Sequence, residues 1–144
     1  MLQENVRKRL IDIVGPEWFK DDTQTLVSYS YDATPLLQAK PDGVIFPGST
    51  EQVSEIMKVC SEFKIPVVGR GAGSNLCGGT VPVQGGLVMV MRRMNKLIEI
   101  DQDNLTATFQ TGLNTKEFHN AVEALDLFYP PDPSSSSVST LGGN

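Results

Sequence analysis

The apolar pattern at the start of the chain predicts one helix and an irregular segment after it. Apolar residues recur at helical spacing from Val6 to Val14, and Gly15-Pro16 marks the end of this helix. Residues 17–40 follow no single period, and we expect their aromatic side chains to pack the segment onto the rest of the chain. We therefore divide the chain into an N-terminal helix and packing linker, residues 1–40, and a domain over residues 41–144.

A strand, a helix and a second strand follow one another at the start of that domain. Val44–Phe46 is a short apolar run, and Ser49 with Gln52 marks a helix N-terminus that precedes an apolar stripe at helical spacing. Val67-Val68 begins the next strand. This order predicts a βαβ unit with parallel strands, which we expect to pair with each other.

The second half of the chain predicts an antiparallel sheet and a further helix. Leu87–Met91 is another buried strand, and period-two alternation over residues 97–100 and 105–110 indicates a hairpin. Asn114 with Glu117 marks the start of a last helix. The predicted fold class is α+β (α/β), a small parallel subdomain followed by an antiparallel sheet.

Composition is that of an ordinary soluble globular domain. The chain has 144 residues, of which 40% are hydrophobic, and its net charge of −5 without clustered cations argues against nucleic acid. No apolar run approaches the roughly 20 residues of a transmembrane helix, and the N-terminus lacks a signal-peptide core. Cys60 and Cys77 favour reduced thiols in the cytoplasm, with a disulfide between them left open, and the single His119 argues against a histidine metal site.

The glycine-rich stretch from Gly71 to Gly79 is the strongest candidate binding site. Its bare backbone N–H groups can turn towards a phosphate, Ser74 and Asn75 add side-chain donors, and Arg70 adds a cation. A Rossmann fingerprint fails because Leu76 stands at the third glycine and no helix follows, and no Gly-Lys-Ser/Thr completes a Walker A loop. The stretch predicts a diphosphate site, with a surface loop that uses glycine only for turns as the alternative.

The tail from Tyr129 to Asn144 is the second candidate segment. Its prolines and serines are typical of a linker, yet residues 140–144 place a glycine pair beside hydroxyl and amide donors. Two such segments suit a long ligand bound from both sides. We expect the backbone of residues 130–144 to find few partners and therefore to be mobile without a ligand.

Three ordered segments, residues 41–47, 65–79 and 129–144, resemble the FAD-binding domain of the vanillyl-alcohol oxidase and p-cresol methylhydroxylase (PCMH) superfamily. Within it the chain is most similar to the glycolate oxidase D-subunit and FAD-linked D-lactate dehydrogenase branch. The resemblance implies a PCMH-type fold with FAD between two subdomains. It also implies that the chain is the N-terminal part of a longer protein, with its antiparallel subdomain incomplete.

The resemblance assigns the cofactor-binding residues to the two candidate segments. Around the pyrophosphate they are Arg70, Gly71, Ala72, Gly73, Ser74, Asn75, Gly78 and Gly79, and along the flavin they are Pro131, Asp132, Ser135, Thr140, Gly142, Gly143 and Asn144. Many relatives have glycine where this chain has Asn75, so we expect Asn75 to adopt a backbone conformation that asparagine tolerates better than most residues. No histidine stands in the glycine loop, which implies non-covalent FAD.

The resemblance also implies an activity, the oxidation of a D-2-hydroxyacid such as glycolate or D-lactate by hydride transfer to FAD. Electrons would pass to an electron-transfer flavoprotein or an iron–sulfur subunit. The catalytic residues would lie beyond Asn144, so the 144 residues alone would be inactive. Two alternatives stay open: a flavin reductase of the same fold that uses a nicotinamide cofactor, and a non-catalytic binding module.

Overall fold

The elements after residue 40 follow the predicted order of helices and strands, whereas residues 17–40, expected to be irregular, contain a strand and a helix. A computed structural model describes residues 2–144. Within these residues the helices and strands are α1 Glu4–Val14, β1 Phe19–Lys20, α2 Thr23–Ser28, β2 Gly43–Ile45, α3 Thr50–Glu62, β3 Val67–Arg70, β4 Leu87–Val90, β5 Leu97–Asp101, β6 Thr106–Phe109 and α4 Thr115–Glu123. The structure confirms the mixed fold class, with parallel and antiparallel pairings in a four-stranded sheet and a separate antiparallel hairpin.

The four-stranded sheet has the order β1-β2-β4-β3, so β4 lies between the two strands of the expected βαβ unit. Val88 of β4 is level with Val44 on one side and Val68 on the other, and both pairings are parallel. The expectation that β2 and β3 pair directly with each other is therefore wrong. All four residues of β4 are buried, and a strand that is apolar on both faces is most stable in the middle of a sheet.

The N-terminal segment packs against this sheet through β1 and α1. β1 pairs antiparallel with β2, and α1 lies against α3 with Leu10 fully buried between them. The amide of Gln52 donates to Ile13 O at 3.0 Å, and its oxygen accepts from Gly48 N at 2.7 Å. Ser49 caps α3 as predicted, accepting from Gln52 N. The division at residue 40 stays a prediction.

The two cysteines are free thiols and do not form the disulfide that the sequence left open. Cys60 is buried in the core between α1, α3 and the sheet, and burial raises the pKa of its thiol to about 11. Cys77 is exposed in the glycine loop. Cys60 therefore acts as a small apolar side chain, whereas Cys77 faces solvent.

The hairpin β5–β6 and α4 enclose a separate small core. β5 and β6 pair antiparallel with one irregularity near Leu97. Asn114 Oδ1 accepts from the amides of Lys116 and Glu117, which confirms the predicted start of α4. The buried side chains of this core are those of Leu113, Phe118, Val122 and Leu141.

The tail is bonded to the segment that leads into α4. Thr140 forms an antiparallel bridge with Asn114, and Leu141 N and Gly142 N donate to the carbonyls of Leu113 and Thr111, each at 2.9 Å. The expectation that this backbone has few partners is therefore wrong. The bonds join residues about 30 positions apart, which a local sequence pattern does not reveal.

Hydrogen exchange is expected to be slow at the amides of Leu141 and Gly142, because each donates to a backbone carbonyl. Asp132, which is exposed and whose amide donates to no acceptor within residues 2–144, is the internal control and should exchange quickly. Mass spectrometry or NMR exchange on the flavin-free protein measures both. Equally fast exchange at Leu141 and Asp132, with β4 protected, would contradict the observed attachment of the tail.

None of the helices within residues 2–144 has the length and hydropathy of a membrane span.

Candidate functional site

The glycine loop leaves the carboxyl end of β3 and faces the tail across a cavity of about 400 Å³. This volume lies in the range of roughly 300–1,000 Å³ that is common for small-ligand sites. The walls carry small or polar residues and no charged side chain: Gly71, Ala72, Gly73, Ser74, Asn75, Cys77, Gly79, Thr80, Pro133, Ser135, Ser139, Thr140, Gly143 and Asn144. The two candidate segments therefore meet at one site.

Most of the residues named from sequence line this cavity, but some do not. Arg70, Gly78, Pro131, Asp132 and Gly142 lie outside its lining.

Four lining residues were not named from sequence: Cys77, Thr80, Pro133 and Ser139. Cys77 and Thr80 flank the glycine pair, which was a usable signal for them. The sequence around Ser139 did not indicate that this residue faces the cavity, because its orientation depends on the turns of the tail.

Gly71 and Gly73 must lack side chains because of the protein's own packing. A Cβ at Gly71 would overlap Thr140 Oγ1 of the tail. Gly73 has a φ of +75°, which L-residues rarely adopt, and a Cβ there would overlap the guanidinium of Arg70. Glycine at these two positions lets the backbone of the loop pack directly against Thr140 and Arg70.

Gly79 and Gly143 have no such internal reason to be glycine. A Cβ at Gly79 would meet only Cys77 Sγ at 3.6 Å and Asn75 Nδ2 at 3.8 Å, and one at Gly143 only Thr140 Oγ1 at 4.0 Å. Both residues line the cavity, and neither has a positive φ. Bare backbone at these points leaves room for a ligand that approaches the chain closely, as a diphosphate does.

Arg70 supports the loop from below and does not line the cavity as a cation. Its side chain is 8% exposed and donates to Tyr31 O at 2.7 Å, and its guanidinium lies 5.3 Å from the centre of the Tyr29 ring. Burial lowers the pKa of Arg70, although a guanidinium stays protonated in proteins. Arg70 therefore lies outside the lining of this cavity, and its assignment as a cofactor-binding cation stays a prediction.

Asp32, which the sequence analysis did not name, holds the side chain of Asn75. Its carboxylate accepts from Asn75 Nδ2 at 2.6 Å, from Thr34 N at 2.8 Å and from Thr80 Oγ1 at 3.3 Å. The amide of Asn75 is thus engaged within the protein, and its φ is not positive. Asn75 therefore matters because its side chain donates a hydrogen bond to Asp32. The expectation that Asn75 adopts a backbone conformation favoured by asparagine is wrong.

These bonds determine the acidity of Asp32. Burial would raise the pKa of Asp32, but the hydrogen bonds from Thr34, Asn75 and Thr80 outweigh burial and lower the pKa to about 2. The carboxylate is therefore ionised at neutral pH.

The stabilisation from Asp32 is expected to be fully present above its unfolded pKa of 3.8 and to be lost as the pH falls through about 2. Urea unfolding of the wild type and of Asp32→Asn measures it. The difference in free energy of unfolding should be largest near pH 7 and should narrow below about pH 4. A difference that is constant down to pH 2 would show that the charge of Asp32 does not stabilise the fold.

A second cavity of about 400 Å³ lies between the hairpin and α4. Its lining includes Phe109, Phe118, Leu127 and Phe128 and is largely apolar. Among its lining side chains only Thr106 and Tyr129 carry donors, and the carboxylate of Asp126 would repel a phosphate group. The polar cavity beside the glycine loop is therefore the candidate functional site.

The fold and this site are those of PCMH-type flavin-binding proteins. A solved structure of alkyldihydroxyacetonephosphate synthase matches with a TM-score of 0.86 at 25% identity, covering 99% of this chain and 31% of that one. A structure of p-cresol methylhydroxylase matches with a TM-score of 0.81 at 24% identity, covering 94% of this chain and 27% of that one.

The family model described as an FAD binding domain matches residues 41–144, so the chain belongs to this family and its cofactor is FAD. The glycolate oxidase subunit GlcD of Bacillus subtilis (strain 168) is 51% identical over 144 residues, covering the whole of this chain and 31% of that protein. The D-lactate dehydrogenase of Archaeoglobus fulgidus is 37% identical over 120 residues, covering 81% of this chain and 27% of that protein. The chain thus spans less than a third of these relatives' length.

Proposed function

We propose that this chain is the FAD-binding part of an oxidoreductase that oxidises a D-2-hydroxyacid of the glycolate or D-lactate type by hydride transfer to FAD. One observation carries this proposal: the 51% identity to a glycolate oxidase subunit extends over all 144 residues. The similarity to a D-lactate dehydrogenase supports the same substrate class.

The residues of the cavity would bind and orient the cofactor. The backbone at Gly79 and Gly143 would approach the diphosphate and flavin, and the hydroxyls of Ser135 and Thr140 would add donors. Bound FAD supplies an acceptor for the two electrons and the hydrogen removed from the alcohol carbon. We propose that it is held without a covalent bond, since no histidine stands in the glycine loop.

The groups that bind the substrate would come from elsewhere in the protein. Cys77 is the only ionisable side chain that lines the cavity within residues 2–144. None of the lining residues is a base suited to removing the hydroxyl proton at neutral pH. We therefore expect the 144 residues alone to show no turnover. An electron-transfer flavoprotein or an iron–sulfur subunit is the proposed acceptor of the electrons.

Reduction of the bound flavin tests this proposal on the full-length protein that carries this chain. The purified protein should show the visible absorption of oxidised flavin, and anaerobic D-lactate or glycolate should bleach it. L-lactate is the matched control for stereochemistry. Bleaching by a reduced nicotinamide alone would indicate the reductase, and a protein without flavin would indicate a binding module; either result would overturn the proposal.

A further inference from the structure

Residues 31–34 form a support directly beneath the glycine loop. The carbonyl of Tyr31 accepts from Arg70, the carboxylate of Asp32 accepts from Asn75 and Thr80, and Thr34 Oγ1 accepts from Gly78 N at 2.7 Å. These residues lie before the stretch that the FAD-binding family model matches, which begins at residue 41. Residues outside that stretch thus contact the loop at several points along its length.

Asp32 is the central group of this support. It is 8% exposed, and two of its three hydrogen-bond donors, Asn75 and Thr80, line the cofactor cavity. A hydrogen bond to an ionised carboxylate is about twice as strong as one between neutral groups. The ionised carboxylate of Asp32 therefore holds the side chains of Asn75 and Thr80, which follow Gly73 in the loop.

A glycine-rich loop needs such a restraint, because its backbone has many accessible conformations when it is free. If the loop is competent to bind only part of the time, the apparent affinity for its ligand falls by that fraction. Arg70 packs against the loop at Gly73, and the bonds from Asn75 and Thr80 to Asp32 restrain it further along. Losing the second restraint would leave the segment that carries Gly78 and Gly79 bonded to residues 31–34 only through Gly78 N and Thr34 Oγ1.

We propose that Asp32 is a positioning residue for the cofactor site: through Asn75 and Thr80 it holds the glycine loop in the conformation that binds the diphosphate of FAD. The inference rests on the proposed use of this cavity for FAD. Asp32 itself does not line the cavity, so it acts through the loop and does not contact the ligand.

The test measures the Kd for FAD of the full-length apoprotein by quenching of flavin fluorescence. Asp32→Ala removes the acceptor of all three bonds, whereas Asp32→Asn keeps an oxygen that can accept from Asn75. Asp32→Ala should weaken FAD binding about tenfold. Asp32→Asn, the conservative variant, should recover the Kd to within about threefold of the wild type.

Asp22→Ala is the matched control. Asp22 also accepts a backbone amide, that of Thr25, but caps α2 away from the cavity. Asp22→Ala should lower the melting temperature by a few degrees, because the cap of α2 is lost, without changing the Kd.

If the wild type binds FAD, the cofactor assignment stands. Three results would then overturn the proposed positioning role of Asp32. They are an unchanged Kd in Asp32→Ala, an Asp32→Asn variant no better than Asp32→Ala, and an equal loss of affinity in Asp22→Ala. If Asp32→Ala does not fold, Thr80→Val removes one donor to Asp32 from the loop side, and an unchanged Kd in that folded variant would also overturn the proposal. A wild type that does not bind FAD would instead refute the proposed function.

Discussion

Replacing Gly73 with valine is expected to abolish stoichiometric flavin binding. The residue has a φ of +75°, which a β-branched side chain adopts only with strain, and its Cβ would overlap the guanidinium of Arg70. The loop would have to leave its support, and the backbone that lines the cavity would move with it. The ratio of flavin to protein after purification, read from the absorption spectrum, measures the effect.

Gly69→Val is the matched control for this change. Gly69 lies in β3 just before the loop, has no positive φ, and an added Cβ would meet no atom within 4 Å. The control should retain flavin at the wild-type ratio. Stoichiometric flavin in Gly73→Val would mean that the loop conformation seen here is not the one that binds the cofactor.

Replacing Leu87 with alanine is expected to lower the free energy of unfolding by about 3 kcal/mol, the cost of a large cavity in a buried core. Leu87 is fully buried in β4, the strand that pairs with both β2 and β3. The surrounding backbone is hydrogen-bonded on both sides and has little freedom to collapse into the space. Urea denaturation followed by circular dichroism measures the loss.

Leu36→Ala is the matched control, because the side chain of Leu36 is entirely exposed. It should change the free energy of unfolding by no more than about 0.5 kcal/mol. A similar small effect for Leu87→Ala would contradict the central position of β4 in the sheet.

The sequence determined α1 and the helices and strands after residue 40 because their signals are local, whereas β1 and α2 were not predicted. The spacing of apolar residues from Val6 to Val14, the cap at Asn114 and the alternation in the hairpin each depend on neighbours a few positions away. The same holds for the place of the glycine loop directly after β3. The resemblance of three ordered segments then led to the FAD-binding family.

Only the tertiary structure decided how these elements meet. That β4 separates β2 from β3 depends on which strand buries both faces, a competition across the whole sheet. The roles of Arg70 and Asp32 depend on contacts between residues 31–32 and 70–80, about 40 positions apart. A residue's type and neighbours along the chain indicate what it can bind. The partner that it does bind is determined by packing and hydrogen bonding between distant segments, which a local pattern does not contain.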